Sequence, residues 1–253
     1  ALIDFARSKC DELTVLICCS NKEVIDQRIR QSWLSESIDD KSNLDIQIYS
    51  YDEEDLPNTS ESSREVSSVW AAVFIKLFPA INIIVSSESY GQYVAGAMNI
   101  QHLEYDISRN NHPISSSQIK FDLLKYWEFL APGAQRYFQK KVTLLGTEST
   151  GKSTLAKLLA SHYSGSLVEE IGREVISNSE EYSKDSLLEI VDLHAKNIDS
   201  AVSVMSPLIV IDTDVYITQS YSMFAFGEYL DLSDWVYSAN RADLRLYLES
   251  SVG

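Results

Sequence analysis

The sequence has no apolar run long enough to cross a membrane. Its longest apolar stretches, at 13–19 and 208–211, have the length of a β-strand, whereas a helix that spans a bilayer needs about 20 apolar residues. No apolar segment typical of a secretory signal precedes the first of these stretches. We therefore expect a protein that has no membrane as its partner.

Clustered positive charge is also missing. The chain has 21 Lys and Arg residues against 37 Asp and Glu residues, a net charge of −16 at pH 7, and both halves are acidic. Proteins that bind duplex nucleic acid gain most of their non-specific affinity from clustered Lys and Arg, and no helix-turn-helix segment with a basic face is visible. The composition therefore argues against nucleic acid as a partner and restricts any phosphate site to a local one.

Cysteine is scarce, with three residues at Cys10, Cys18 and Cys19. An odd number of cysteines without a secretory signal favours reduced thiols and a cytoplasmic protein. Adjacent residues of a strand point to opposite faces, so Cys18 and Cys19 are expected to pack separately instead of sharing a metal ion.

Short β-branched runs alternate with longer amphipathic stretches over the 253 residues. Such alternation is typical of βα units around parallel sheets. In a first series we predict strands near 13–20, 44–49, 81–86 and 103–105, with helices near 22–37, 62–78 and 90–98. In a second series we predict strands near 141–146, 166–170, 208–212 and 244–248, with helices near 151–163, 186–205 and 231–239.

The two series predict the fold class: α/β, with two parallel-sheet, three-layer domains. A break at Ala131-Pro132-Gly133 separates the series, and we place the domains at 1–135 and 136–253. The sequence leaves the oligomeric state open and is compatible with a homo-oligomer.

The strongest motif is Gly146-Thr147-Glu148-Ser149-Thr150-Gly151-Lys152-Ser153, which fits G-x-x-x-x-G-K-[ST] between a predicted strand and a predicted helix. The glycines allow the backbone to form a nest of N–H donors at the positive end of a helix. The motif predicts a nucleoside triphosphate site in which the lysine reaches the phosphates and the last serine binds Mg²⁺. The alternative is a turn that matches by chance. The predicted nucleotide-binding residues are Gly146, Glu148, Ser149, Thr150, Gly151, Lys152, Ser153 and Thr154.

Acidic residues end two of the predicted strands in the second series. Asp212 closes an apolar strand and has the position of the carboxylate that holds the magnesium shell beside a phosphate loop; Asp214 follows it. Glu170 ends another strand and is followed by Arg173 and Glu174. Ligands collect at the carboxyl ends of parallel strands, so these residues are candidates for binding a phosphate acceptor. The alternatives are a solvated strand end or helix N-cap for the aspartates and an ordinary helix surface for Arg173 and Glu174.

No Asn-Lys-x-Asp element that would read guanine follows the phosphate loop. A regulatory GTPase is therefore disfavoured. A small-molecule kinase fits better than an ATPase motor, because the second series leaves little room for elements that couple hydrolysis to distant motion.

A second segment, 114–120, carries three consecutive serines and a lysine at a predicted helix start. On the residues alone, the hydroxyl groups either hold an anion or cap the helix. The segment resembles the Ile-Ser-x-Thr-x-Ile-Arg signature of nucleotidylyltransferases, with Ser117 for Thr and Lys120 for Arg. Both replacements keep the hydroxyl and the charge, although lysine lacks the bidentate fork of arginine.

Together, the order of the motifs resembles the bifunctional nicotinamide-nucleotide adenylyltransferase and ribosylnicotinamide kinase family of NAD biosynthesis, over nearly the whole chain. The segments 85–91 and 125–128 are also similar. The resemblance implies two transferase reactions. The kinase half passes the γ-phosphate of ATP to ribosylnicotinamide, and the other half joins nicotinamide mononucleotide to AMP from ATP, giving NAD.

The resemblance and the motifs together suggest roles for named residues, with ATP and Mg²⁺ as the cofactors. Lys152 stabilises the transferring charge, Ser153 and Asp212 hold Mg²⁺, and Asp214 or Glu170 accepts the hydroxyl proton. The expected substrate-binding residues are Arg173, Glu174, Asp212 and Asp214. The residues expected to bind nucleotide in the adenylyltransferase half are Ser115, Ser117 and Lys120.

The sequence departs from the family pattern at both ends. The family opens with a strand and a Gly-x-Phe-x-Pro-x-His-x-Gly-His turn that is absent here, and the kinase half stops before the lid arginines of such kinases. We expect that the chain is a fragment or that stretches of it are left out. Its histidines do not replace the turn: His102 and His112 lie late in the first half, and His162 and His194 are predicted to be helix-surface residues.

Two alternatives remain open on the sequence. A non-catalytic nucleotide-sensing regulator would hold ATP without turning it over, and a P-loop kinase of another nucleoside would share the phosphate loop but not the acceptor.

Overall fold

The computed structural model describes residues 1–39, 42–58, 63–172 and 183–249. The chain divides into two compact units, Ala1–Phe121 and Asp122–Gly253. The division falls before the functional boundary that we placed at 135/136, which stays a prediction. In the described part of the chain, no helix combines the length and the apolar character that a membrane crossing requires.

The first unit is built from βα repeats. Its elements are α1 (Leu2–Arg7), β1 (Leu13–Ser20), α2 (Gln27–Glu36), β2 (Leu44–Tyr51), α3 (Arg64–Leu77), β3 (Ile83–Ser86), α4 (Tyr90–Met98), β4 (Gln101–Glu104) and α5 (Ser116–Phe121). The predicted bounds of β1 and α4 are confirmed to the residue. Helix α2 begins five residues later than predicted, because the Asp26 carboxylate caps it by accepting a hydrogen bond from the Arg28 amide.

All strand pairs of the first unit are parallel. β1 pairs with β2 from Leu13↔Leu44 to Ser20↔Tyr51, and β3 pairs with β4 from Ile83↔Gln101 to Ser86↔Glu104. Among the described residues these are two separate ladders. The predicted α/β class with parallel strands is confirmed.

An aromatic cluster fills the space between β2 and α3. The ring of Trp70 packs edge-on against Tyr51 at a centroid distance of 4.9 Å and also contacts Tyr49 and Phe74. Its indole N–H donates to the backbone carbonyl of Pro57 at 2.9 Å. The large apolar area and the satisfied N–H make this tryptophan a packing residue.

The second unit contains a four-stranded parallel sheet of strand order β6-β7-β5-β8. Its elements are a 3₁₀ turn (Trp127–Phe129), α6 (Pro132–Phe138), β5 (Lys140–Gly146), α7 (Lys152–His162), β6 (Ser166–Val168), α8 (Lys184–Ser203), β7 (Leu208–Asp212), α9 (Val215–Phe226), α10 (Asp234–Ala239) and β8 (Leu244–Leu248). The predicted bounds of β7 and β8 are confirmed to the residue.

Helices cover both faces of this sheet. Alternate residues of β7 point to opposite faces, so Ile209 and Ile211 pack against Ile198 of α8, while Val210 packs against Ala156 of α7. All five side chains are buried. The second unit therefore has the predicted three layers.

Helix α9 was not predicted. Its sequence, VYITQSYSMFAF, is apolar on most sides and lacks the helical spacing of polar residues that marks an amphipathic helix. Its ends follow ordinary rules, with Asp214 as the N-cap and Gly227 in the left-handed conformation after the last turn.

Candidate functional site

The phosphate-loop motif forms a tight connection between β5 and α7. Gly146 has φ +146°, and a Cβ there would lie 2.4 Å from the backbone carbonyl oxygen of Leu248. Gly151 has φ +87° and is the N-cap of α7. Both glycines are therefore required by the backbone, as the motif predicts. The loop between them is neither helix nor strand; Thr147, Glu148 and Ser149 are exposed, and Thr150 is half-buried.

The polar groups of the loop leave its amides available. The carbonyl oxygen of Thr147 accepts hydrogen bonds from Lys152 Nζ and from Thr150 Oγ1, each at 2.8 Å. Within residues 1–39, 42–58, 63–172 and 183–249, no acceptor is hydrogen-bonded to the backbone amides of 147–151. Unpaired amides at the start of an eleven-residue helix, beside a lysine, can bind a polyphosphate.

The remaining loop residues of the prediction lie around this nest. Glu148 and Ser149 are exposed, and Ser149 adopts φ +62°. Ser153 is half-buried in the first turn of α7, and Thr154 next to it is exposed. The structure thus brings the predicted loop residues together, and their contacts with a nucleotide stay a prediction.

Asp212 lies at the carboxyl end of β7, opposite Leu144 of β5. By strand alternation its side chain leaves the sheet on the same face as Val210, the face covered by α7. Asp212 is 2 % exposed, and its Oδ1 is buried without a hydrogen-bond partner among the described residues. Asp212 and Ser153 therefore lie on the same face and at the same edge of the sheet.

The side-chain oxygens of Asp212 and Ser153 have the chemistry that Mg²⁺ prefers. Among the described residues, no group of three or more His, Cys, Asp or Glu side chains could hold a metal ion by itself. Mg²⁺ usually binds through one or two protein oxygens together with substrate phosphates and water. An orphaned carboxylate oxygen next to a phosphate loop has the chemistry that such an ion requires.

Asp214 caps a helix in the structure. Its Oδ1 accepts hydrogen bonds from the amides of Tyr216 at 3.0 Å and Ile217 at 3.4 Å, and its Oδ2 accepts one from Arg245 Nε at 3.3 Å. The side chain is 1 % exposed. The contacts follow the N-cap alternative that the sequence left open, and a catalytic role of this carboxylate stays a prediction.

The candidate acidic end of β6 is shorter than predicted. The strand ends at Val168, so Glu169 and Glu170 belong to the following connection, where Glu170 is half-buried. The Glu169 carboxylate pairs with Lys157 of α7 at 2.9 Å. The other two predicted residues here, Arg173 and Glu174, lie outside the described residues.

The prediction that His194 is a helix-surface residue is wrong. His194 is 5 % exposed, whereas His162 is exposed as predicted. Burial lowers the pKa of His194, and the carboxylates of Asp214 and Asp212 and the Asp212 backbone oppose this shift without cancelling it. The sequence carried a signal for this burial, because position 194 continues the apolar stripe of α8.

In the first unit, Ser115 caps α5. Its hydroxyl accepts a hydrogen bond from the Gln118 amide at 3.2 Å, and the Gln118 side-chain oxygen accepts one from the Ser115 amide at 2.8 Å. This reciprocal pair is a capping box. Ser117 and Lys120 lie on α5 and are exposed. Ser115 thus caps the helix, as one of the two alternatives stated. The binding of a nucleotide by Ser115, Ser117 and Lys120 stays a prediction.

An arginine that the sequence did not single out fixes the segment before this helix. Arg109 donates to the Ile114 carbonyl oxygen and to the Glu88 carboxylate, both at 2.6 Å. Glu88 follows β3, so the bonds join the start of the Ser115 segment to the end of a parallel strand. The distance of 21 positions between Arg109 and Glu88 leaves no local sequence signal for this contact.

Proteins similar to this chain were found for both units. A family model described as AAA domain matches residues 141–252. Two curated relatives are described as trifunctional NAD biosynthesis/regulator protein NadR, from Salmonella typhimurium (strain LT2) and Escherichia coli (strain K12). They are 28 % and 27 % identical to this sequence over alignments of 280 positions, and each alignment covers 99 % of this chain. The chain spans 65 % of the length of each relative.

Two solved structures share the fold. They are the crystal structures of NadR protein in complex with NR and in complex with NAD and AMP-PNP. Each matches 97 % of this chain with a TM-score of 0.54, at 21 % and 22 % identity, and the match covers 73 % and 75 % of those chains. The chain is similar to NadR proteins.

Proposed function

We propose that the protein is a transferase of NAD biosynthesis with two activities. The second unit phosphorylates ribosylnicotinamide with ATP, giving nicotinamide mononucleotide and ADP. The first unit joins the mononucleotide to AMP from a second ATP, giving NAD and pyrophosphate. The relatives described as NAD biosynthesis proteins and the solved NadR complexes with NR, NAD and AMP-PNP support this choice of substrates.

In the proposed kinase reaction, the loop 146–153 binds the phosphates of ATP. The unpaired amides of 147–151 donate to phosphate oxygens, and Lys152 exchanges its contact with the Thr147 carbonyl for the β- and γ-phosphates. The 5′-hydroxyl oxygen of the acceptor attacks the γ-phosphorus, and the bond to the ADP oxygen breaks. Catalysis of this step rests on positioning and on the stabilisation of charge.

Ser153 and Asp212 are the proposed ligands of Mg²⁺. When bound, the ion neutralises phosphate charge and orients the transferred group. The Asp212 oxygen without a partner supports this role. Glu148, Ser149, Thr150, Gly151 and Thr154 complete the nucleotide-binding segment in the proposal.

The proton of the acceptor hydroxyl passes to a carboxylate. Glu170 and Asp214 are the two candidates, and the oxygens of Asp214 accept hydrogen bonds from two amides and Arg245. Arg173 and Glu174 follow Glu170 in the sequence, and we propose that they contact the acceptor, as do Asp212 and Asp214.

In the proposed adenylyl transfer, Ser115, Ser117 and Lys120 bind ATP. The phosphate oxygen of the mononucleotide attacks the α-phosphorus of ATP, and pyrophosphate leaves. Lys120 and Ser117 are exposed, as a group that contacts a soluble nucleotide must be. The cytoplasmic location and a homo-oligomeric state stay predictions.

The phosphate loop with its unpaired amides is the observation that carries the proposal. The test supplies Mg-ATP and ribosylnicotinamide and quantifies the mononucleotide by mass spectrometry, for the wild-type chain, Lys152→Ala and Lys157→Ala. We expect Lys152→Ala to lower turnover by about 100-fold or more, as for the loss of one donor to developing charge. Lys157 lies on the same helix as Lys152 and pairs with the Glu169 carboxylate, so Lys157→Ala is the matched control and should keep its activity.

Other outcomes of this assay contradict the proposal in distinct ways. Mononucleotide formation that survives Lys152→Ala would locate the chemistry elsewhere. Tight ATP binding without transfer to any nucleoside would support the nucleotide-sensing regulator, and transfer to a different nucleoside would support a kinase of another specificity.

A further inference from the structure

The turn after β7 is held in a strained backbone conformation. Thr213, between the two aspartates, has φ +68° and is 9 % exposed. A β-branched residue in the left-handed region is strained and persists only where the surroundings fix it. The Thr213 amide donates to the Leu144 carbonyl oxygen at 3.0 Å, and the Val215 amide donates to Asn240 Oδ1 at 3.1 Å. These contacts fix the turn from the side of the sheet and from α10.

A further side chain reaches this turn from α8. His194 lies one helical turn from Ile190, which clusters with Val215 just after the turn, and one helical turn from Ile198, which clusters with Ile211 of β7. Its imidazole interacts with the backbone of Asp212 and with the carboxylates of Asp212 and Asp214.

The imidazole of His194 is energetically unfavourable at this buried position. Its Nε2 is buried and has no hydrogen-bond partner in the described part of the chain. A buried polar group without a partner destabilises the folded protein, and an apolar side chain would continue the apolar stripe of the helix without this effect. The sequence nevertheless has a histidine beside the strained turn.

We propose that His194 is a positioning residue that holds the Asp212-Thr213-Asp214 turn in its strained conformation and thereby fixes the direction of the Asp212 carboxylate. The inference rests on the proposed role of Asp212 in binding Mg²⁺ with ATP. His194 acts from behind the sheet, through the Asp212 backbone, on a carboxylate that leaves the opposite face. Groups that orient a metal ligand in this way typically change metal affinity or activity by about 10–100-fold when they are removed.

The test compares His194→Leu, His194→Asn and His194→Gln with His162→Leu, a control on the exposed histidine of α7. Calorimetry measures ATP affinity with Mg²⁺ and with a chelator. We expect His194→Leu to reduce the gain in affinity from Mg²⁺ by about 10–100-fold, with ATP affinity in the chelator unchanged. One of the two amide variants should retain most of the gain, because its N–H can still donate to the Asp212 backbone.

Hydrogen exchange separates positioning from a general loss of stability. In His194→Leu the Thr213 amide should exchange about tenfold faster, while the amides of Val210 and Ile211 in β7 stay protected. The proposal is overturned if hydrogen exchange becomes faster by the same factor at all three amides of His194→Leu. It is also overturned if Mg²⁺ raises the ATP affinity of His194→Leu as much as that of the wild type. Loss of the gain in both amide variants also overturns it.

Two measurements cover the remaining cases. In the wild-type protein, an imidazole N–H of His194 that exchanges with water as fast as that of His162 overturns the proposal without any variant. If the wild-type chain binds Mg-ATP but transfers no phosphate, the proposed kinase function fails, and the calorimetric comparison still tests His194. If the wild-type chain binds no Mg-ATP, the proposed kinase function and the proposed role of His194 both fail.

Discussion

At the scale of single residues, Gly91 shows how closely the first unit packs around its strand ends. Gly91 lies in the first turn of α4, directly over the hydrogen-bonded pair Ser86 Oγ and His102 Nε2, which are 2.9 Å apart. A Cβ at position 91 would lie 2.1 Å from the first of these atoms and 2.5 Å from the second. Both neighbours are side chains held by the sheet, so neither can move without breaking their mutual contact.

We therefore expect Gly91→Ala to destabilise the protein by about 1–3 kcal/mol, the usual cost of overpacking. Gly96→Ala on the same helix is the matched control. A Cβ at 96 meets nothing within 4 Å, and alanine is favoured over glycine inside a helix by roughly 0.5–1 kcal/mol. Urea unfolding followed by circular dichroism should give opposite signs for the two variants, and equal midpoints would show that the pair Ser86 and His102 yields to the methyl group.

At the scale of elements, α9 depends on one carboxylate for its start. Asp214 satisfies the amides of Tyr216 and Ile217 at the N-terminus and also binds Arg245 of β8. Arg245 in turn donates to the Asn240 carbonyl oxygen at the end of α10. One side chain thus joins the beginning of α9 to the edge strand of the sheet.

This arrangement separates the two candidate bases. Asp214→Ala should cost about 1–2 kcal/mol as the loss of an N-cap, whereas Asp214→Asn keeps a capping oxygen and should cost less. Glu170→Gln should lower kinase turnover by about 100-fold or more, in the range of general-base catalysis, if Glu170 is the base. Thermal unfolding and mononucleotide assays of the three variants check both expectations. Full turnover in Glu170→Gln together with its loss in a folded Asp214→Asn would assign the base to Asp214.

At the scale of the whole molecule, the pattern of the sequence predicted most of the architecture. Strands with clear β-branched runs, such as 208–212, were located to the residue, because burial on both faces leaves a continuous apolar signature. The phosphate loop was predicted together with its flanking elements, because its two glycines, lysine and serine have a fixed spacing.

The parts that were missed depend on contacts between distant positions. Helix α9 has no amphipathic period, so its helical state follows from its cap and its packing. The burial of His194 and the left-handed Thr213 depend on how α8 and β5 meet β7. Arg109 and Arg245 find their partners 21 and 31 positions away. A single sequence predicts the local preference for helix or strand well, but it predicts contacts between distant residues poorly.

The assignment of the two proposed activities to separate compact units leads to a prediction for the chain as a whole. Lys152 belongs to the unit Asp122–Gly253 and Lys120 to the unit Ala1–Phe121. Each lysine is proposed to contact the phosphates of a different ATP molecule. Since a hydrogen bond to a charged group contributes roughly 1.5–3 kcal/mol, each substitution by alanine should slow its own reaction by at least about tenfold.

The measurement follows mononucleotide formation from ribosylnicotinamide and NAD formation from supplied mononucleotide in the same preparations. Lys152→Ala should lose the first reaction and keep the second, and Lys120→Ala should do the opposite. Lys125 is the next lysine after Lys120, and its ammonium group lies over the Tyr126 ring. Lys125→Ala is the control for the loss of a lysine and should keep both reactions. Parallel loss of both reactions in either variant would contradict the separation, because a group that contacts one ATP molecule has no reason to affect the reaction of the other.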